Sequence, residues 1–271
     1  MLISLIVIRC LITLSRCCFV HVSQSFNILL DDRDLSGRTV NDCINTLSNA
    51  LQYAVKHKLI ENNPCELVEK PRIEKKEMSI WTEEQLNQFK NICEGYYLEG
   101  AMHLLFYGLR HGEILGLTID CVDFTNKQIN IKNTLVTTGE GVKFQKTPKT
   151  VASKRVIPLA DDTLNLIRSA IGGRKSGLVF ITSEGNHIHP RSFQRSFKLL
   201  TDRAKLPNIR LHDMRHSACS LLLSNGCDLK TVSQLLGHAN TRISTDIYLH
   251  TNTTKQRAAI NALDKIIIGK E

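Results

Sequence analysis

Apolar residues recur every three or four positions at Val40, Ile44, Leu47, Leu51, Ala54 and Val55, and the pattern stops at Asn62-Asn63-Pro64. That spacing predicts one buried helical face. Arg38, Asn41, Asn45, Gln52 and Lys56 fall on the opposite face, which is open to solvent or to a charged partner. Pro64 cannot continue the helix, and the charged stretch through Pro71 and Lys76 reads as a linker. A chain of 271 residues divided this way is expected to hold a small helical domain and a larger one. The expected boundaries are an atypical apolar segment over 1–26, the small domain over 27–70, a linker over 71–80 and the larger domain over 81–271.

The larger domain starts at Trp81-Thr82-Glu83-Glu84-Gln85-Leu86, where Thr82 and Gln85 have the spacing of a capping box, so a helix is expected to about Ile92. Helical runs follow at Ala101–Leu109 and from Glu113 to Leu117. Alternating segments at 128–131 and 155–157 read as strands around a polar turn rich in Lys. Helices return near Ser192 and continue to the end, with turns at Gly226 and Gly237. The expected class is mainly α with a small β-sheet, an α+β fold.

With 42% hydrophobic and 23% charged residues the chain is neither broadly disordered nor a multi-span membrane protein. A formal charge of +9 favours a polyanionic partner, because Lys and Arg neutralise phosphates and release counterions. Nine cysteines stand without the two-residue pairing of a zinc site, which predicts a reduced, cytoplasmic chain. His212 and His216 have an i, i+4 spacing seen in metal sites, but no Glu follows His212, and no metal is expected. The first twenty residues are apolar, yet Arg9 and Arg16 interrupt them and no basic residue precedes the apolar run. We therefore expect a non-native or misread start, the alternative being a genuine anchor, and no membrane partner.

Exchange of a phosphodiester without metal needs a nucleophile, cationic donors for the nonbridging oxygens, and proton carriers at the bridging oxygens. Guanidinium forks suit the second task. Arg110 closes an apolar helix in FYGLRHGEILGL and must face a cleft or a partner. Arg215 lies in LHDMRHSACSLLL, three residues after His212, so both side chains share one helical face.

In order along the chain come Gly108-Leu109-Arg110-His111-Gly112-Glu113-Ile114-Leu115, the basic segment TPKTVASKRVIPL, His212 with Arg215 and His216, His238 within LLGH, and Asp246-Ile247-Tyr248-Leu249-His250. This ordered set resembles the tyrosine recombinases of the phage-integrase type. The resemblance implies a recombinase catalytic domain preceded by a helical core-binding domain. It implies site-specific cleavage and rejoining of double-stranded DNA, in integration or excision of mobile DNA, with Tyr248 as nucleophile and a 3′-phosphotyrosine intermediate. Arg110 and Arg215 would hold the nonbridging oxygens, and His212 would manage the tyrosine proton. His238 would add a hydrogen bond in the transition state, and Lys149 would protonate the leaving oxygen, with Lys143, Lys146 and Lys154 competing for that role. Glu113 would steady the centre or simply favour a helix start, and His216 is left structural. No cofactor is implied, because the phosphotyrosine conserves the energy of the cleaved bond. The implied partners are a homotetramer on two duplexes and accessory DNA-bending or directionality factors.

Only the later part of the core-binding domain, Leu35 to Pro71, is matched, while residues 1–26 match nothing expected. The notion of a truncated or frame-disrupted product follows. A DNA-binding remnant without catalysis and a topoisomerase of related chemistry are the alternatives.

Overall fold

The structure, a computed structural model, describes residues 35–73, 79–146 and 155–237. Contacts divide the chain into units over 1–77 and 78–271. In the first, Ser36 caps helix α1 (Gly37–Lys56) by accepting from the Thr39 amide at 3.2 Å. Val40, Ile44 and Leu47 form its buried stripe, and Cys65 and Val68 close over it. An isolated helix is marginal in water, so the chain that returns over α1 supplies much of its stability. Asn63 makes that return possible. Its side-chain amide donates to the Ser48 carbonyl at 3.1 Å, and its carbonyl oxygen accepts from the Cys65 amide at 3.1 Å, starting a 3₁₀ turn over Pro64–Leu67. Asn41 donates to the Pro71 carbonyl at 3.0 Å.

The second unit opens with Trp81, whose amide donates to Ser217 Oγ and whose indole donates to the Pro207 carbonyl, both at 2.9 Å. Its ring packs on Phe89 and Phe197, with centroids 5.1 and 5.7 Å away. Helix α2 (Glu83–Cys93) begins with the expected box of Thr82 and Gln85. Helices α3 (Glu99–Phe106) and α4 (His111–Leu115) follow.

The strands are β1 (Val122–Asp123), β2 (Gln128–Ile131), β3 (Asn133–Thr138), β4 (Gly141–Lys146) and β5 (Arg155–Pro158). β2 lies between β1 and β5, all antiparallel, with Ile129 opposite Ile157 and Ile131 opposite Arg155. The polar turn expected between the two strand segments contains a hairpin of its own, β3–β4, with Leu135 opposite Phe144. Helix α4 presses against it. A Cβ on Gly112 would lie 2.6 Å from Thr134 Oγ1, and one on Gly116 would lie 2.9 Å from the Leu135 amide.

Helix α5 (Asp161–Ile171), which the sequence reading did not separate out, buries Leu164, Ile167 and Ile171. Helices α6 (Pro190–Arg203), α7 (Leu211–Ser224) and α8 (Leu229–Leu236) complete the described unit. The mainly α architecture with small antiparallel sheets agrees with the expected class. No helix among the described residues is long and apolar enough to cross a membrane.

Candidate active site

Helices α4 and α7 start with the same device. Arg110 is the residue before α4, and its amide donates to Glu113 Oε2 at 3.0 Å, while its guanidinium reaches Glu113 Oε1 at 2.9 Å. Arg210 precedes α7 in the same way, with its amide 2.9 Å and its Nε 3.0 Å from Asp213 Oδ2. A carboxylate three residues into a helix satisfies an orphan amide and complements the positive end of the helix dipole. The two differ in burial. Both carboxylates are buried, but the Arg210 side chain is 81% exposed, so its pair contributes little, whereas the Arg110 side chain is 41% exposed and Glu113 also holds a second, buried arginine. Arg155 places Nη1 and Nη2 on the two Glu113 oxygens at 3.0 and 2.8 Å.

The cap on α7 sets the position of His212 in the first turn and of Arg215 in the second. Arg215 is 2% exposed and donates through Nη1 to the Gly108 carbonyl at 2.8 Å and through Nη2 to the Leu236 carbonyl. Arg155 Nε donates to the neighbouring Leu235 carbonyl at 2.8 Å, and Arg110 Nη2 approaches the Gly237 carbonyl at 3.4 Å. Three guanidiniums thus meet three successive carbonyls at the end of α8. Such carbonyls lack helical partners and carry partial negative charge, so cations suit them.

Burial, with the charges of Arg110 and Arg155, pushes the Arg215 guanidinium down to about 9, which leaves it charged at neutral pH. Burial followed by His216, Arg215 and Arg110 lowers the His212 pKa, although the residue is exposed overall, so the imidazole is neutral at pH 7 and can accept a proton. The His216 ring meets His212 edge to face at 5.1 Å. Burial raises the Glu113 pKa, but the hydrogen bond and charge of Arg155 and the contacts with Arg110 outweigh it, and the net shift is downward. A carboxylate with a lowered folded pKa adds stability above its unfolded pKa, and that stability is lost as pH falls through the folded value. Glu113→Gln is expected to lower stability at pH 7 by about 2 kcal/mol and to flatten the acid loss below pH 4.5, as read by denaturant melts across pH.

Of the residues expected from the sequence, Arg110, His212 and Arg215 come together here, while Lys149, His238 and Tyr248 lie outside the described residues. Arg155 was not among the candidates. The available signal was strand alternation: Arg155 shares a face of β5 with fully buried Ile157, whereas Val156 between them is 48% exposed.

Residues 80–255, well over half of the chain, match the family model described as phage integrase family. The chain belongs to that family. Its curated relatives include a XerC-like tyrosine recombinase of Caldanaerobacter subterraneus subsp. tengcongensis, 28% identical over 279 residues that cover 92% of this chain and 71% of the relative. The ICEBs1 integrase of Bacillus subtilis is 28% identical over 252 residues, covering 88% of this chain and 68% of the relative. Among solved structures, the Tn1549 transposon integrase in complex with a circular intermediate DNA matches with a TM-score of 0.78 at 22% identity, covering 90% of this chain and 85% of that one. The XerH site-specific recombinase bound to its palindromic difH substrate matches at 0.66 and 20% identity, covering 91% and 72%. These likenesses agree with the fold reached from the sequence, a tyrosine-recombinase catalytic domain.

Proposed function

We propose that this chain cleaves and rejoins double-stranded DNA at defined sites through Tyr248, in integration or excision of mobile DNA. The observation that carries the reading is the convergence of Arg110, Arg215 and a neutral His212 within a unit that belongs to the phage integrase family. Preorganised guanidiniums stabilise a phosphoryl transition state without rearranging as charge develops. Their attachment to fixed carbonyls and to Glu113 supplies that preorganisation.

In the proposed step the Tyr248 hydroxyl oxygen forms a bond to the scissile phosphorus as the bond to the 5′-oxygen breaks. The phenol proton passes to His212, and Lys149 gives a proton to the leaving 5′-oxygen. Arg110 and Arg215 carry the nonbridging oxygens, and His238 adds a donor. Rejoining reverses these transfers, so the chemistry asks for neither metal nor nucleotide. Residues 27–70 act as part of a core-binding domain, residues 71–80 as a linker and residues 81–271 as the catalytic domain. Four protomers on two duplexes, with accessory bending or directionality factors, complete the proposal.

The test is covalent trapping on nicked suicide duplexes carrying candidate attachment sites, followed by peptide mapping of the DNA-linked residue. Nucleotide attached at Tyr248 supports the reading. Duplex binding without an adduct on any site favours a non-catalytic remnant, and adducts independent of sequence favour a topoisomerase. Because neutral His212 accepts the proton, adduct formation should slow only as pH falls through a His212 pKa that lies below the ordinary imidazole value, and His212→Asn should remove that inflection from the pH–rate profile.

A further inference from the structure

We infer that Arg155 is a positioning residue that sets the separation between the phosphate-holding Arg110 and the end of helix α8. The inference rests on the catalytic reading of Arg110 given above. Arg155 differs from Arg110 in how its three guanidinium nitrogens are spent. Two of them take both oxygens of the buried Glu113 carboxylate, the third takes the Leu235 carbonyl, and the side chain is 6% exposed. With all three nitrogens engaged this guanidinium is placed to hold protein groups, whereas the Arg110 side chain keeps 41% of its surface exposed. Arg155 joins three elements: β5, which carries it, α4, which carries Glu113, and α8, which supplies the carbonyl.

Glu113 then passes the constraint on. Its Oε1 accepts from both Arg110 Nη1 and Arg155 Nη1, and its Oε2 accepts from the Arg110 amide and Arg155 Nη2. Without Arg155, the carboxylate is free to turn toward Arg110 alone, and Arg110 moves with it. The same loss releases Leu235, two residues before the left-handed Gly237 that ends α8 and precedes His238 in the sequence. Arg155 also follows Lys149 by six positions, so one side chain ties together the sequence neighbourhoods of three proposed catalytic groups. A lysine retains the charge but lacks the planar fork that spans two carboxylate oxygens and a carbonyl.

The experiment compares the full chain with Arg155→Lys and Arg155→Met, alone and in a Glu113→Gln background. It reads single-turnover adduct formation at saturating suicide duplex, affinity for uncut duplex by anisotropy, and amide exchange over residues 229–237 and 83–93. Arg155→Met should slow adduct formation about 100-fold, the scale of a small misplacement of a reacting group, while affinity stays within about threefold. Arg155→Lys should fall between, and exchange should rise over 229–237 while 83–93 stays protected. In the Glu113→Gln background Arg155→Met should cost less than about threefold more, because the two act as one unit. Near-wild-type adduct formation, an equal loss in both backgrounds, or unchanged exchange over 229–237 would each overturn the inference. If Arg155→Met exposes 83–93 as well, Arg155→Lys becomes the deciding variant. If the parent chain forms no adduct, the catalytic reading fails separately, and exchange over 229–237 decides whether Arg155 holds α8.

Discussion

Arg215→Met is expected to slow covalent adduct formation by about 1,000-fold, the scale at which a single preorganised donor to a developing charge is lost. It should also lower stability by about 2 to 4 kcal/mol, because it strands two buried acceptors, the carbonyls of Gly108 and Leu236. Relief of the repulsion from Arg110 and Arg155 offsets part of that cost. Arg215→Lys separates the two effects. It returns the charge and one hydrogen bond, so melting should recover in part, while a single ammonium cannot bridge two carbonyls and present a fork to phosphate, and activity should stay low. Single-turnover trapping and denaturant melts on the same samples check both expectations. Activity within about tenfold of the parent would remove Arg215 from the catalytic set.

Gly108→Ala is expected to lower stability by about 3 to 4 kcal/mol and the melting temperature of the larger unit by about 10 °C. Gly108 has φ +71°, a conformation that costs an L-residue about 1 kcal/mol or more, and its Cβ would lie 2.2 Å from Leu236 Cδ2. Leu236 is fully buried and cannot swing away without opening the contact of α8 with α7. The Leu236 carbonyl and the Gly108 carbonyl both hold Arg215, so the substitution drives apart the two ends of one clamp. Pairing Gly108→Ala with Leu236→Ala should remove the steric part and leave the conformational part. Additive losses in that double variant would show that the clash is absorbed elsewhere.

The parts of this fold that were legible in the sequence are those fixed by local chemistry. Thr82 and Gln85 announce α2, the spacing of Val40, Ile44 and Leu47 announces α1, and alternation marks β2 and β5. Helix α5 escaped because Ala160 precedes it and offers no side-chain cap, which leaves Asp161 and Asp162 in its first turn and Gly172 at its end as weaker signals. The β3–β4 hairpin escaped because only Leu135 of β3 is buried, and its pairing is held by contact with the glycines of α4, which lies earlier in the chain. At the site, Arg110 and Arg215 could be chosen because apolar neighbours make a charged residue conspicuous, and His212 by its spacing to Arg215, although Arg110 lies just before α4 and not at the end of the helix expected over Ala101–Leu109. For Arg155 strand alternation marks an inward position but not its role, since its partner Glu113 is 42 positions away and the pairing exists only after folding. Lys149, His238 and Tyr248 rest on the family pattern and on the tests proposed above.

The end of α8 is best viewed as a gauge of length. Asp228 fixes where the helix begins by accepting from the Thr231 amide, and left-handed Gly237 fixes where it stops. Each added or removed residue between them would turn the terminal carbonyls by about 100° and shift them by about 1.5 Å, so Arg110, Arg155 and Arg215 would lose their acceptors at this helix end together. Substitution at exposed Lys230 or Gln234 leaves that spacing intact. Diversification of this segment therefore has wide room in residue identity and almost none in residue number, a constraint that pairwise substitution data would never reveal.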